Sequence, residues 1–252
     1  MTSQTLERGI DCLFALASSD APLSVPELAK TLSLPESTVY RLLRPLERRG
    51  LVERTDQGGR VIGLRVLELC KGLRGSRGYH IAQIARPIME ELAGLTQETI
   101  ILTVVLGFEA ICIESIDSPQ PVRLSFEEGQ IQPIYAGASA KILLAHAERG
   151  FQEEVLSRCE GIHYAHGGAI GCEELRRELD HIREDGFAVT TEEVDPGATA
   201  VAAPVLDSNN QLVAGLSVAG PKDRFGEERL PELIELVVAS AQRISERYAL
   251  LS

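Results

Sequence analysis

The chain of 252 residues lacks tryptophan and contains only 4% aromatic residues and two methionines. No apolar run approaches the 18 residues of a membrane-spanning helix, which excludes a membrane span. The first residues lack the basic and apolar regions of a secretory signal. The cysteines form an odd, scattered set without a C-x-x-C pair, at positions 12, 70, 112, 159 and 172. These absences predict a cytoplasmic protein with reduced thiols and no membrane partner.

Negative charge dominates the chain, but it is unevenly distributed. The formal net charge is −12, yet residues 1–75 carry 11 Lys and Arg against 9 Asp and Glu. Residues 76–252 therefore carry a net charge of −14. Because an acidic bulk repels phosphates, any contact with DNA has to be local and turned away from that bulk. The split predicts two modules with different partners.

The first sixty residues have the pattern of three helices. Apolar residues recur at helical spacing from about residue 5 to 18, and a Ser-Ser-Asp-Ala-Pro segment ends this helix. Two capping boxes follow, Ser24-Val-Pro-Glu27 and Ser33-Leu-Pro-Glu36, and each predicts the start of a helix. Gly50 is placed to end the third helix. Two short helices separated by a tight turn predict a helix-turn-helix unit.

The third helix carries a polar and basic face opposite its apolar stripe. Four polar or basic residues at spacing i, i+4, i+7 and i+11 share one side of this helix, which we expect to be exposed. These residues are Ser37, Arg41, Arg44 and Arg48, and Thr38 and Tyr40 flank them near the start of the helix. Hydroxyls and guanidiniums in this position suit phosphates and base edges in the major groove of double-stranded operator DNA. Pro45 falls within this helix, so we expect a kink or a shortened helix there.

A strand, a glycine-rich turn and a second strand are predicted over residues 51–64. Arg54 and Arg60 bracket the turn, which suits a wing that contacts the DNA backbone or the minor groove. The first module is therefore predicted to be a winged helix-turn-helix. The alternative is a three-helix interaction module with a solvated arginine face.

The remaining chain is predicted to form an α+β domain behind a linker helix. The predicted domains are residues 1–63 for DNA binding, 64–78 for the linker helix and 79–252 for effector binding and oligomerisation. Helices are predicted at 81–96, 138–148, 150–158, 172–185 and 226–249. Strands are predicted at 99–106, 109–116, 122–126, 187–194, 200–206 and 212–219. A mostly antiparallel sheet flanked by helices provides an inner face for a ligand pocket.

Several ordered motifs give the whole chain a resemblance to the IclR family of bacterial transcriptional regulators. They comprise Leu34-Pro-Glu-Ser-Thr-Val-Tyr-Arg-Leu-Leu43, Ile134-Tyr-Ala-Gly-Ala-Ser-Ala-Lys141, Val201-Ala-Ala-Pro-Val205 and Leu216-Ser-Val-Ala-Gly-Pro221. The resemblance implies a winged helix-turn-helix joined to a GAF-like effector domain, homodimers or dimers of dimers, and small organic inducers. We therefore expect a sequence-specific DNA-binding regulator, by family pattern a repressor, with no cofactor and no enzymatic activity.

The resemblance also implies where the effector binds. The family's backbone-amide loop falls on Gly137, Ala138 and Ser139, and its serine position is Ser217, with Ala219 two residues further. Its acidic position is Thr190 here, and its cysteine position is Ala200. Amides at a helix start suit a carboxylate or another electronegative group. Because two polar positions are altered, we expect a larger effector than glyoxylate, such as an aromatic acid or amide.

Some of these residues also fit a purely structural role, a hydrolase or a metal site. Residues 137–139 and 217–219 could be ordinary turn and strand residues. Ser139 and Lys141 suggest a Ser/Lys hydrolase, but spacing i, i+2 on a helix separates them. Glu192 and Glu193 resemble a pair of catalytic carboxylates, but neighbouring residues on a strand point to opposite faces. We therefore expect one of the two carboxylates to be structural and the other to be exposed. A zinc site could use Cys159, His163, His166 and Cys172, although their spacing matches no closed structural site. A hydrolase or a metal-binding sensor with an appended DNA-binding module remains the alternative function.

Overall fold

The computed structural model describes residues 3–73, 75, 77–158, 162–164 and 167–251. The chain divides into two compact units, residues 1–76 and 77–252. No helix among these described residues is long and apolar enough to cross a membrane.

The first unit contains three helices, a two-stranded hairpin and a fourth helix. They are α1 (Gln4–Ala17), α2 (Val25–Thr31), α3 (Glu36–Arg48), β1 (Val52–Arg54), β2 (Arg60–Ile62) and α4 (Val66–Leu73). The apolar stripes of α1, α2 and α3 meet in one core that includes Cys12, Leu28, Val39 and Leu43. Helical spacing of apolar residues therefore produces the compact helix-turn-helix and wing that were expected.

One of the two predicted capping boxes is present and the other is wrong. At α2, Ser24 Oγ accepts from the Glu27 amide, and the Glu27 carboxylate accepts from the Ser24 amide. Ser33 instead has φ +53° in the turn, and α3 begins after Pro35 without a side-chain cap. The chain has to reverse between α2 and α3 within a few residues, and Ser33 provides the left-handed conformation of that turn.

Helix α3 runs through Pro45 to Arg48, so the expected shortening is wrong. Proline removes one backbone hydrogen bond, to the carbonyl of Arg41. Pro45 lies on the exposed side of the helix, where water can satisfy that carbonyl. The whole basic row therefore stays on one helix.

The second unit is a six-stranded antiparallel sheet with helices on both faces. The strands run in the order β5-β4-β3-β10-β9-β8. Their bounds are β3 (Thr99–Leu106), β4 (Glu109–Ile116), β5 (Ile131–Pro133), β8 (Ala188–Thr191), β9 (Ala198–Leu206) and β10 (Leu212–Pro221). The helices are α5 (Arg77–Thr96), α6 (Ala138–His146), α7 (Arg149–Ser157), α8 (Cys172–Asp185) and α9 (Leu230–Leu251), with a short hairpin of β6 (Ile162–His163) and β7 (Ala169–Ile170).

Two apolar cores lie on opposite faces of this sheet. One joins α5 and α9 to strand residues such as Leu102 and Leu216. The other joins α6 and α8 to strand residues such as Ala202. This layered α+β arrangement agrees with the predicted fold class.

Two predicted strands of this unit differ from the structure. Residues 122–126 form no strand, because the third strand of the sheet is β5, which pairs with β4 through Ile131–Pro133. Leu124 and Phe126 instead pack against Ile101 and Cys112. The strand predicted over 187–194 ends at Thr191 because Glu192 takes the left-handed backbone conformation, with φ +59°.

Candidate DNA-binding face and effector pocket

The polar row of α3 is exposed along the whole helix. Its exposed members are Ser37, Tyr40, Arg41, Arg44 and Arg48, and Thr38 beside them is half-buried. Arg54 is exposed at the end of β1. A helix-turn-helix presents this side of its second helix to the major groove. The face therefore has the charge and hydrogen-bonding groups that DNA requires.

Arg60 does not belong to this exposed face, which corrects the expectation that it contacts DNA. Its side chain is only 7% exposed, and Nε lies 3.0 Å from Glu47 Oε1. Its Nη1 donates to the carbonyl of Gly58 at 2.5 Å. The guanidinium also lies 6.0 Å from the ring centre of Tyr40. Arg60 therefore links the wing to α3 through Glu47. Of the two wing arginines predicted to contact DNA, only Arg54 is exposed.

The seven residues predicted for the effector all line one cavity of about 60 Å³ in the second unit. Strand register explains why four of them meet. Thr190 on β8 pairs with Ala200 on β9, and Ala200 pairs with Ala219 on β10. Ser217 lies two residues before Ala219, so both side chains leave the same face of the sheet. Three consecutive strands, β8, β9 and β10, thus provide one wall of the cavity.

The start of α6 forms the opposite wall. Gly137 precedes the helix with φ +84°, and a Cβ there would lie 2.9 Å from Val194 Cγ2, so glycine is required. The amide of Gly137 donates to Glu193 Oε2 at 3.0 Å. The following amides, of Ala138 and Ser139, lie in the first turn, where a helix provides no acceptor of its own. No side chain caps this turn, so these amides are available to a ligand.

The polar side chains in the cavity differ in what they already bind. Ser139 Oγ accepts from Gln132 Nε2 at 3.0 Å, which leaves its hydroxyl hydrogen to donate. Ser217 Oγ is 3.5 Å from the carbonyl of Ile101, a weak contact. Thr190 lines the cavity, and within the described ranges its hydroxyl makes no hydrogen bond. Its oxygen is not among the buried atoms without a partner, so the hydroxyl is accessible to a ligand in the cavity.

A segment between β4 and β5 covers the cavity. Leu124, Ser125 and Phe126 contribute to its lining. The segment is held by a hydrogen bond from Thr99 Oγ1 to the Leu124 carbonyl at 2.6 Å. Sequence reasoning missed these residues and Gln132, because nothing in the local pattern links them to residues 137–139. The segment gives the cavity an apolar cover opposite its polar end.

Behind the cavity, Lys141 forms a buried ion-pair cluster with Glu178 and Glu193. Its side chain is fully buried, and Nζ lies 2.6 Å from Glu178 Oε1 and 2.6 Å from Glu193 Oε1. Burial lowers the pKa of the Lys141 ammonium, but the two carboxylates outweigh burial and hold this pKa above the ordinary lysine value. The ring centre of Tyr164 lies 5.0 Å from Nζ. Lys141 is therefore a charged structural residue rather than a base for Ser139.

Glu192 and Glu193 are both engaged, which corrects the expectation of one structural and one exposed carboxylate. Glu193 binds Lys141 and the Gly137 amide. Glu192 accepts from the Gly197 amide at 2.8 Å and from Lys222 at 3.0 Å. The pair does not lie on a strand, because β8 has already ended at Thr191. Neither carboxylate is arranged as a catalytic acid or base with the other.

The structure describes only part of the alternative zinc site. Cys159 and His166 lie outside the described residues. Within the described part of the chain, no three His, Cys, Asp or Glu side chains are grouped to hold a metal ion.

An exposed basic recognition helix in one unit and a lined cavity in the other define a DNA-binding protein with a ligand-binding domain. Family models identify its class more closely. Residues 5–56 match the IclR helix-turn-helix domain, and residues 76–246 match the bacterial transcriptional regulator IclR C-terminal domain. The chain belongs to the IclR family of bacterial transcriptional regulators.

Individual relatives support this assignment. The HTH-type transcriptional regulator KipR of Bacillus subtilis is 34% identical over 225 residues, 89% of each chain. The transcriptional repressor IclR of Escherichia coli is 28% identical over 97% of this chain and 90% of its own. An IclR homologue from Microbacterium hydrocarbonoxydans, solved in complex with 4-hydroxybenzoate, has a TM-score of 0.83 and 25% identity. That comparison covers 99% of this chain and 100% of the homologue.

Proposed function

We propose that the chain represses transcription by binding operator DNA, and that a small organic effector in the 60 Å³ cavity controls this binding. The observation that carries the proposal is one cavity that Thr190 and Ser217 of the sheet line together with the first turn of α6, whose amides have no cap. Several relatives are named repressors, and a structural neighbour was solved in complex with 4-hydroxybenzoate. The effector has to bind the DNA-competent and DNA-incompetent states with different affinity, or it regulates nothing.

DNA recognition is assigned to the exposed face of the helix-turn-helix unit. Hydroxyls at the start of α3 and the guanidinium of Arg41 contact base edges or phosphates, and the later arginines of α3 and Arg54 contact phosphates. The complete assignment is Ser37, Thr38, Tyr40, Arg41, Arg44, Arg48 and Arg54. Arg60 is left out because Glu47 already binds its guanidinium.

In the cavity, a polar group of the effector accepts hydrogen bonds from the amides of Ala138 and Ser139. The hydroxyl of Thr190 binds the same group or its neighbour, and Ala200 and Ala219 contact the apolar part. The volume limits the ligand, because a cavity known to bind benzene has about 150 Å³, more than twice the volume here. An aromatic acid or amide therefore requires the covering segment at Leu124 to move outward, whereas a compact aliphatic compound does not.

The cavity is proposed to bind its ligand without chemical conversion. A Ser/Lys hydrolase needs a neutral amine that removes the serine proton. Lys141 is charged and held by Glu178 and Glu193, and Ser139 is oriented by Gln132. Incubation with candidate ligands followed by chromatography should therefore return them unchanged.

A pocket-filling substitution tests the proposed effector site. Ala200→Leu places a larger side chain in the cavity between Thr190 and Ala219. The matched control is Ala249→Leu, the same exchange at an exposed position of α9. An operator is first selected from a random DNA library, and 4-hydroxybenzoate, benzamide and glyoxylate are then titrated onto the protein–DNA complex.

At least one of the three compounds is expected to raise the unfolding temperature and to release DNA from the parent and Ala249→Leu proteins. A coupling of about 1–3 kcal/mol corresponds to a change in DNA affinity of about 5- to 150-fold. Ala200→Leu should bind operator normally and lose the response. An unaltered response of Ala200→Leu to that compound would move the effector to another site.

A further inference from the structure

The recognition helix α3 begins with an acidic residue, Glu36, although its DNA-binding face is otherwise basic and polar. Glu36 opens α3 and is exposed, whereas the rest of that face is formed by hydroxyls and arginines. No hydrogen bond or ion pair of Glu36 is found within the described residues. A carboxylate at a DNA-facing position is repelled by phosphates, so its presence has to be offset by a favourable contact.

Helical geometry places Glu36 at the edge of the exposed face of α3, on the side that Tyr40 flanks. Glu36 lies one turn before Tyr40 at spacing i, i+4, and both side chains are exposed. The N-terminal residues of a recognition helix are the ones that reach base edges in the major groove. As the first residue of α3, Glu36 therefore has a position from which a carboxylate can reach base edges.

Base chemistry decides what such a carboxylate can read. An ionised carboxylate only accepts hydrogen bonds. In the major groove, guanine presents only acceptors, which cannot donate to a carboxylate, whereas the N4 amino group of cytosine can donate a hydrogen bond to it. We infer that Glu36 determines operator specificity by accepting a hydrogen bond from cytosine N4 at one position of each half-site. This inference rests on the proposed operator binding through α3.

A simpler role is that the carboxylate stabilises the start of α3 through the helix dipole. That role depends on charge alone and does not change which sequence is preferred. Glu7 provides the matched control, because it is likewise an exposed acid in the first turn of a helix in the same unit. Glu7→Gln should lose the same dipole contribution without changing sequence preference.

Selection from a random double-stranded library, followed by sequencing, is run with the full-length parent, Glu36→Gln, Glu36→Ala and Glu7→Gln proteins. The parent and Glu7→Gln should prefer cytosine at one half-site position by about 5- to 150-fold, the range of a specific base contact. Glu36→Ala should lose that preference, and Glu36→Gln should shift it toward adenine, which an amide recognises. Preferences at the other positions should stay as in the parent.

The outcomes separate this inference from the proposed function. If the parent enriches a defined sequence and both Glu36 variants enrich the same one, the cytosine contact is wrong and operator binding stands. The cytosine contact is also wrong if Glu36→Ala binds every sequence more tightly by an equal factor, since Glu36 then acts only by charge. If the parent enriches no sequence, the proposed function fails and the inference fails with it.

Discussion

Replacing Lys141 with methionine should be the most destabilising single change near the cavity. Methionine preserves much of the side-chain length but removes the charge that binds Glu178 and Glu193. Each ammonium–carboxylate contact at 2.6 Å is worth about 6 kcal/mol of attraction at an effective dielectric constant near 20. Desolvation offsets much of that, and removing one partner from a buried pair typically costs about 3–5 kcal/mol.

Differential scanning calorimetry of the full-length protein measures this loss. For a domain of about 150–250 residues, each kcal/mol lowers the unfolding temperature by about 2–4 °C, so Lys141→Met should lower it by about 6–20 °C. The matched control is Lys222→Met, which breaks an ion pair whose lysine is 48% exposed. Such an exposed pair is worth at most about 1 kcal/mol.

A second substitution keeps this reasoning testable if the first protein is poorly folded. Lys141→Met leaves two carboxylates without their lysine, and adding Glu193→Gln removes the charge of the more buried one, so the double variant should be more stable than Lys141→Met alone. If Lys141→Met unfolds within about 2 °C of Lys222→Met, the buried cluster contributes little and the reasoning is refuted.

Two further results follow from the structure. Burial, reinforced by the charge of Arg183, lowers the pKa of His146 below the ordinary 6.5, so the unfolded chain binds a proton that the folded chain does not. Stability should therefore fall as the pH drops below about 6.5, and His146→Asn should flatten this dependence in urea unfolding between pH 7.5 and 5.5; equal slopes would contradict it. Leu6 and Phe14 of α1 and Leu67 and Leu69 of α4 are 62–68% exposed, which favours pairing between copies. Light scattering at micromolar concentration should give about twice or four times the chain mass of 27.4 kDa, and a 27 kDa particle that binds one palindromic site tightly would exclude a dimer.

Local features of the fold could be predicted closely from the sequence. Helix α8 spans Cys172–Asp185 as expected, because its apolar period and the left-handed Gly186 both lie within the segment. The hairpin of β3 and β4 also has the predicted bounds, since Gly107 takes φ +59° in its two-residue turn. In these elements the determining interactions connect residues that are close in sequence.

Features decided by distant partners could not be predicted. Arg60 has a typical wing position, but Glu47, which buries its guanidinium, lies on another element. Residues 122–126 alternate like a strand, yet β5 takes the free edge of β4. The placement of the effector residues came from family resemblance, and nothing local indicates that Glu193 binds the Gly137 amide across 56 positions.

The central claim is that the exposed face of α3 recognises a specific DNA sequence, and Arg41→Ala tests it most directly. Fluorescence anisotropy at fixed salt gives the dissociation constants of the parent and the variant for the selected operator and for random DNA. Loss of a guanidinium that reads a base should weaken operator binding by about 1–3 kcal/mol and bring it closer to binding of random DNA. A ratio of operator to random affinity that is unchanged in Arg41→Ala would contradict this account of recognition.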